Sequence, residues 1–463
     1  MSLKVFSRVI QRFNRKSILV AVHPDNNAVS NLSTSTDKNI LSDSSSLIPS
    51  KCDVCIIGGG VMGLSTAYWL KRHEAGKNMK VVVLERDSKY TKASSVLSMG
   101  GIRQQFSLQE NIELSLFGAD FLRQSDEFLG LDQQNADVQY HPCGYLFLTT
   151  TSDGAQLLHD NYTLQKKLGS KVELLSRQKL KEKFPFFNVD DIELGSLGLD
   201  NEGWFDPWSL LNGFKRKAIS LGVEYIQADV CKFDYKSQTE NSTAGPNSVV
   251  IQTADGKLKS LEFSHCVIAA GYESGRVSAL AGIGNGSGLL GHSLPVEPKK
   301  RYVYFVHAPD APDTGFPMLI DSTGTYARRE GSAGHFLCGL SPTEEEEPPV
   351  DNLDVDYGYF DAQVWPNLAH RVPSMGNLKV KSGWGGYYDY NTFDQNGIIG
   401  THPVFQNFHF ATGFSGHGIQ QSPAVGRAMM ELILYGKFKS IDLQRFGFER
   451  FIDGRQVLEQ NIV

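Results

Sequence analysis

The residues with the plainest chemical meaning are Gly58, Gly60 and Gly63, spaced Gly-x-Gly-x-x-Gly. The first glycine of such a run permits a tight turn out of a strand. The second lets a pyrophosphate lie against bare backbone, and the third lets a helix approach the sheet. Glu85 lies 22 residues beyond Gly63, where a carboxylate can accept hydrogen bonds from an adenosine ribose. The unpaired N–H groups and positive dipole end of the helix would take the phosphates. The implied chemistry is capture of an adenine dinucleotide. A second cluster, Ala411-Thr-Gly-Phe-Ser-Gly-His-Gly418, places Gly413, Gly416 and Gly418 within six positions. That density suggests backbone passing close to a ligand. A helix starting there would turn its N-terminus toward a redox ring and favour negative charge developing on reduction.

Strands and helices must position these turns. Val54, Ile56 and Ile57 form a short apolar run, Leu64, Ala67, Tyr68 and Lys71 follow at helical spacing, and Val81–Leu84 is a second apolar run. Strand, glycine turn, helix and strand make one βαβ unit with buried parallel strands. Further on, helices are predicted over 114–128, 210–218 and about 423–435. Strands are predicted over 144–148, 223–226, 266–270, 300–306 and 408–411, with Cys266–Ala270 running into a turn at Gly271. Ser237 to Ser248, with Gly245-Pro246, reads as a hairpin tip and carries an Asn241-Ser242-Thr243 acceptor sequence. Glu344 to Glu347, followed by Pro348-Pro349, reads as a solvated acidic loop. There is no internal repeat.

The chain has 463 residues, 41% of them hydrophobic and 21% charged, enough for two or three globular domains. A net charge of -6 argues against a general nucleic-acid binder. No apolar run reaches the roughly 18 residues of a spanning helix. Six cysteines in a chain of this length are not a disulfide framework. Cys52-Asp-Val-Cys55 has redox-motif spacing but sits on a strand, where side chains three apart point to opposite faces. With no second nucleotide fingerprint, that argues against a pyridine-nucleotide disulfide reductase. Residues 1–24 carry Lys4, Arg8, Arg12, Arg15 and Lys16, no acid, and Phe6, Val9, Ile10 and Phe13 at helical spacing. This is the pattern of a mitochondrial transit peptide. Residues 25–50, rich in Ser and Asn, read as a disordered spacer.

The two glycine clusters, with Ala269-Ala270-Gly271 between them, resemble the D-amino-acid oxidase-like flavoproteins, which include sarcosine oxidase, dimethylglycine dehydrogenase and glycine oxidase. The resemblance covers about residues 52–440. A narrower likeness, to a mitochondrial branch, rests on Glu202–Trp208, Leu294–Pro298, Arg301–Tyr304 and Tyr387–Gly397. It implies a matrix protein, free or peripheral to the inner membrane, that takes part in assembling respiratory complex I, with complex I subunits or assembly intermediates as partners. The family implies an α/β fold in which a Rossmann-type FAD domain (51–113, 171–290 and 380–440) is interleaved with an α+β substrate domain. That second domain (114–170 and 291–379) would have a large mixed or antiparallel sheet, leaving 441–463 as a tail. The family also implies hydride loss to the flavin from the carbon next to a secondary or tertiary amine.

Residue by residue, the resemblance assigns Arg103 to the substrate carboxylate, which a guanidinium fork can bind bidentately. It places His417 beside the flavin and Ser94 and Ser95 on the pyrophosphate loop. Where sarcosine oxidases hold the carboxylate with a lysine, this chain has Gln420. Where they use a lysine to promote reaction with oxygen, it has Leu337, which points to a dehydrogenase rather than an oxidase. The positions that bind flavin covalently in relatives hold Tyr387 or Gly386 and Leu97, so the FAD is expected to be non-covalent. The alternative to an enzyme is a scaffold for complex I subunits that uses FAD for stability.

Overall fold

The computed structural model describes residues 48–131, 135–235 and 245–461. The basic segment 1–24, residues 25–47 of the spacer and Asn241-Ser242-Thr243 lie outside the described residues. Strand β1 (Lys51–Ile57), helix α1 (Val61–Arg72) and strand β2 (Val81–Glu85) form the expected βαβ unit. Val54, Cys55 and Ile56 of β1 and Val81–Val83 of β2 are fully buried, as central parallel strands covered on both faces require.

Ile57 stands opposite Leu84 on one side and Ile268 on the other, and Ile268 stands opposite Phe410. Four parallel strands therefore end at one level. The turns after them (Gly58, Glu85, Gly271 and Gly413) meet along one edge, where open α/β sheets bind ligands. Strand Glu224–Asp234 extends this sheet beyond β2, and Ile398–Thr401 pairs antiparallel at the other edge. Ser248–Thr253 pairs antiparallel with Glu224–Asp234 and with Leu258–Ile268. The strands flanking the predicted hairpin tip thus do pair as a hairpin.

A second, eight-stranded mixed sheet contains the strands Tyr145–Thr149, Val172–Ser176, Leu194–Gly198, Val296–His307, Met318–Ile320, Tyr326–Arg329, His335–Gly339 and Lys379–Asn391. Every pairing in it is antiparallel except Met318–Ile320 with Tyr145–Thr149. One face carries a core of Phe184, Tyr304, Phe316, Phe336, Phe360 and Leu368. A smaller cluster holds Met99, Tyr145, Val303, Met318, Ile320, Tyr326 and Leu337.

The interleaved α/β architecture is as expected, but its boundaries shift. The strands at 172–176, 194–198 and 379–391 belong to the second sheet, although 171–290 and 380–440 were assigned to the FAD domain. Helix α3 (Gln109–Arg123) packs into the core of α1 and the helix Gly418–Tyr435, although 114–170 was assigned to the substrate domain. Sheet membership is set by tertiary pairing, which an apolar run does not encode. The tail 441–463 is not loose: Leu443, Phe446, Phe448, Arg450, Val457 and Glu459 are buried.

The cysteine expectation also needs correction. Cys52 and Cys55 lie in the same core cluster and their thiols are in contact. The consecutive N–H groups of Asp53 and Val54 both reach Lys80 O, at 2.9 and 3.2 Å. This local irregularity in the ladder turns Cys52 toward the face of Cys55. Both thiols are buried, and the Cys52 contact followed by burial pushes the Cys55 thiol up, which disfavours the thiolate a redox dithiol needs. No helix among the described residues is long and apolar enough to cross a membrane.

Candidate functional site

A cavity of about 690 Å³ runs from the glycine turn to the second sheet, within the range of cofactor and ligand sites. Gly58, Gly60, Glu85, Ser94, Ser95, Arg103, Gly271, Gly416, His417 and Gly418 all line it. Gly63 and Gly413 do not. Gly63 serves the packing role read from the sequence, since a Cβ there would fall 2.0 Å from Gly58 O. Gly413 was expected at the cofactor. Its N–H instead donates to the Asp389 carboxylate at 2.9 Å, alongside that of Phe414 at 3.1 Å.

At the nucleotide end, the Glu85 carboxylate accepts from Gly59 N–H and Asp87 N–H, each at 2.8 Å. It is thereby fixed at the strand end with lone pairs left for hydroxyl groups. The first turn of α1 has no side chain from its own N-cap, Gly60. Ser95, on the short helix α2 (Ser94–Leu97), accepts from Val61 N–H at 3.3 Å, and Ser94 donates to Tyr387 O. The helix Gly418–Tyr435 starts at the cavity five residues earlier than predicted, and its N-cap His417 makes no side-chain cap. Two helix N-termini and a carboxylate therefore face one elongated cavity. This donor and acceptor set fits the pyrophosphate, ribose and ring of a flavin dinucleotide.

At the other end, Tyr145, Arg301, Tyr326, Tyr388, Met318 and Ile320 join Arg103 on the wall. The buried Arg103 guanidinium donates to Gln105 O at 2.5 Å and Asn461 O at 2.6 Å, and stacks 3.9 Å over the Phe106 ring. It has no ion-pair partner among the described residues. The Tyr145 phenol lies beside it, and burial pushes that phenol up to about 12. Leu337 packs among Tyr145, Met318 and Tyr326 without lining the cavity. His417 contacts Asn396 Oδ1 at 3.3 Å and packs on Phe106. Burial, then Arg103, pushes the imidazole down to about 3, so it is neutral at physiological pH.

Sequence reasoning gave no role to Asp389, Arg301, Tyr326, Tyr388 or Glu202. Arg301 is gripped bidentately by Glu347 at 2.9 Å, with Lys299 at 3.3 Å from the same carboxylate. The acidic loop is therefore not simply solvated at Glu347. Single polar residues in strands carry no local signal of such pairing. The signal that was present is the short spacing of Tyr387, Tyr388 and Asp389 before the Gly413 cluster.

Glu202 is fully buried behind Arg103. Its carboxylate accepts from Gln104 N–H and Gln105 Nε2, each at 2.9 Å. Burial pushes this carboxyl from 4.5 up to about 7, against the opposing pull of those donors and Arg103. The folded state thus binds the proton more tightly than the unfolded chain. The stability this contributes is full below pH 4.5 and is lost as pH rises through 7, by about 3 kcal/mol. In Glu202→Gln that component of the pH slope should vanish. Urea denaturation across this window should give parallel curves for the two proteins only if Glu202 is already ionised when buried.

Comparison with known proteins agrees with this geometry. The family model for FAD dependent oxidoreductases matches residues 53–432. The FAD-dependent oxidoreductase domain-containing protein 1 of Xenopus laevis is 50% identical over 441 residues, covering 93% of this chain and 88% of that protein. Among solved structures, L-proline dehydrogenase from P. horikoshii has a TM-score of 0.73 at 24% identity, covering 89% of this chain and 100% of that one. Glycine oxidase from Geobacillus kaustophilus has 0.69 at 24% identity, covering 86% and 98%.

Proposed function

This chain belongs to the FAD-dependent oxidoreductase family, and we propose that it oxidises a carboxylate-bearing secondary or tertiary amine in the mitochondrial matrix, in support of respiratory complex I assembly. FAD, when bound, supplies the two-electron acceptor. The observation that carries the substrate class is Arg103, a buried guanidinium with no acid partner among the described residues, on the wall of the FAD cavity. Its remaining N–H donors can take a carboxylate, while Tyr145, Met318 and Ile320 bound the space for the rest of the molecule. His417, held neutral, orients without adding charge.

Dehydrogenase action is favoured by Leu337 at the position where oxygen-reactive relatives are expected to carry a lysine. Non-covalent attachment is supported by Leu97, Gly386 and Tyr387 on the cavity wall, at the positions where relatives that bind flavin covalently are expected to carry a cysteine or histidine. The matrix location rests on the basic, acid-free segment 1–24.

Anaerobic titration of the FAD-loaded protein with N-methyl and cyclic amino acids should bleach the flavin with at least one of them. No bleaching with any carboxylate-bearing amine would sink the reading. Arg103→Met should weaken the successful substrate by about 10- to 100-fold, the worth of a charge-assisted hydrogen-bond pair, without lowering FAD content.

A second reading, a scaffold for complex I subunits, draws on the two carbonyl bonds that already occupy Arg103. FAD at about 100 times its Kd would add roughly 2.7 kcal/mol of stability without any turnover. Affinity recovery from mitochondria separates the readings. Arg103→Met should retain complex I subunits if the chain is a scaffold and restore no assembly if it is an enzyme.

A further inference from the structure

We propose that the C-terminal segment Val457–Asn461 is a positioning element of the substrate site, with Glu459 and Asn461 setting the plane of the Arg103 guanidinium. The inference rests on the reading of Arg103 as the carboxylate anchor. A guanidinium is flat, and two acceptors on separate nitrogens fix its plane. One of those acceptors is the Asn461 carbonyl, at 2.6 Å. The other, Gln105 O, is shared with Asn461 Nδ2 at 2.7 Å. A residue 358 positions away in sequence thus touches the anchor directly and braces its second acceptor.

Glu459 holds the segment in place. Its buried carboxylate accepts from Ser107 N–H and Oγ, each at 2.6 Å, and from Leu108 N–H at 3.2 Å. It also accepts from Asn111 Nδ2 at 2.9 Å and Asn461 N–H at 3.0 Å. Helix α3 begins at Gln109 with Leu108 as its N-cap, a side chain that cannot cap, and Glu459 takes the N–H groups of Ser107 and Leu108 just before the helix and sets a carboxylate at its positive end. Asn111 and Val457 then meet Asn396, which also contacts His417. The segment therefore links the anchor to the imidazole, both of which pack on Phe106.

The test uses full-length FAD-loaded protein, with benzoate and the uncharged benzamide as probes of the flavin absorption spectrum. Wild type should bind benzoate more tightly than benzamide. Glu459→Gln places an amide against the Asn111 and Leu108 donors. Asn461→Asp places a carboxylate beside the Gln105 carbonyl that Arg103 contacts. Each should reduce the benzoate preference about tenfold or more while benzamide affinity stays the same, a selectivity that simple loosening of the fold would not produce. If both variants keep the wild-type preference, the positioning role is overturned and the anchor reading stands. If wild type itself shows no preference, the anchor reading fails and the inference falls with it. Should Glu459→Gln lose FAD, Asn461→Asp decides alone, because it leaves the five contacts of Glu459 in place.

Discussion

Gly60→Val is expected to give a folded, colourless protein. The three glycines of the first turn do different work, and only this one faces the cofactor alone. Gly58 adopts φ +106°, and a Cβ there would fall 2.2 Å from Ala269 O. A Cβ on Gly63 would fall 2.0 Å from Gly58 O. Side chains at either position collide with backbone, and the turn itself would break. Gly60 has φ -71° and ψ -177°, open to any residue. The nearest neighbour of its Cβ is Ser95 Oγ at 3.3 Å, and beyond that lies the cavity. Valine methyls would therefore project into the path of the pyrophosphate. A steric cost of about 3 kcal/mol weakens binding roughly 100-fold. Flavin absorbance per chain should drop to near background, and the melting temperature should fall only to that of the wild-type apoprotein. Gly63→Val should instead give little soluble protein. Normal FAD content in Gly60→Val would show that the pyrophosphate does not pass there.

These contrasts explain how much of the molecule was legible in its sequence. The βαβ unit and Glu85 follow from local features: a glycine spacing, two apolar runs and a helical period. Ten of the twelve proposed site residues, counted from Gly58 to Gly418, line the cavity; the parallel sheet delivers those at its strand ends to one edge, while Ser94, Ser95 and Arg103 arrive from other elements. Gly413 was misplaced because a glycine's need for positive φ looks the same whether its N–H meets a ligand or, as here, Asp389. The domain boundaries failed because Val172–Ser176 and Lys379–Asn391 are amphipathic strands that could join either sheet. The tail was illegible for a different reason. Glu459 is an ordinary charged residue in sequence, and only the closure of the chain onto Ser107 and Leu108 sets it at the start of helix α3.

Asp394→Ala is expected to cost about 3–5 kcal/mol, the loss that follows when one partner of a buried ion pair is removed. Asp394 and Arg450 are both buried, joined at 2.7 and 3.0 Å. Arg450 also donates to Asn396 O and Gly397 O at 3.0 Å and to Phe446 O at 2.5 Å. Removing the acid leaves a guanidinium in the interior with carbonyls but no counter-charge, and also frees the Asn391 amide and Val457 N–H that Asp394 accepts at 2.7 and 3.1 Å. Arg450→Met should cost a similar amount, because it strands the carboxylate. The double variant Asp394→Ala, Arg450→Met should recover part of the loss, since neither charge is then buried alone. Urea denaturation at a fixed, saturating FAD concentration measures all three; strict additivity would mean the two side chains act independently despite their contact. The pair also bears on the site. Asp394 is the acceptor that places both Asn396, next to His417, and Val457, at the start of the segment leading to Arg103. Conservative Asp394→Asn, which keeps an acceptor but removes the charge, should therefore retain FAD while losing benzoate preference before it loses fold. The anchor then depends on a salt bridge that never touches the cavity, because the C-terminal segment reaches Arg103 only if the loop it leaves is held.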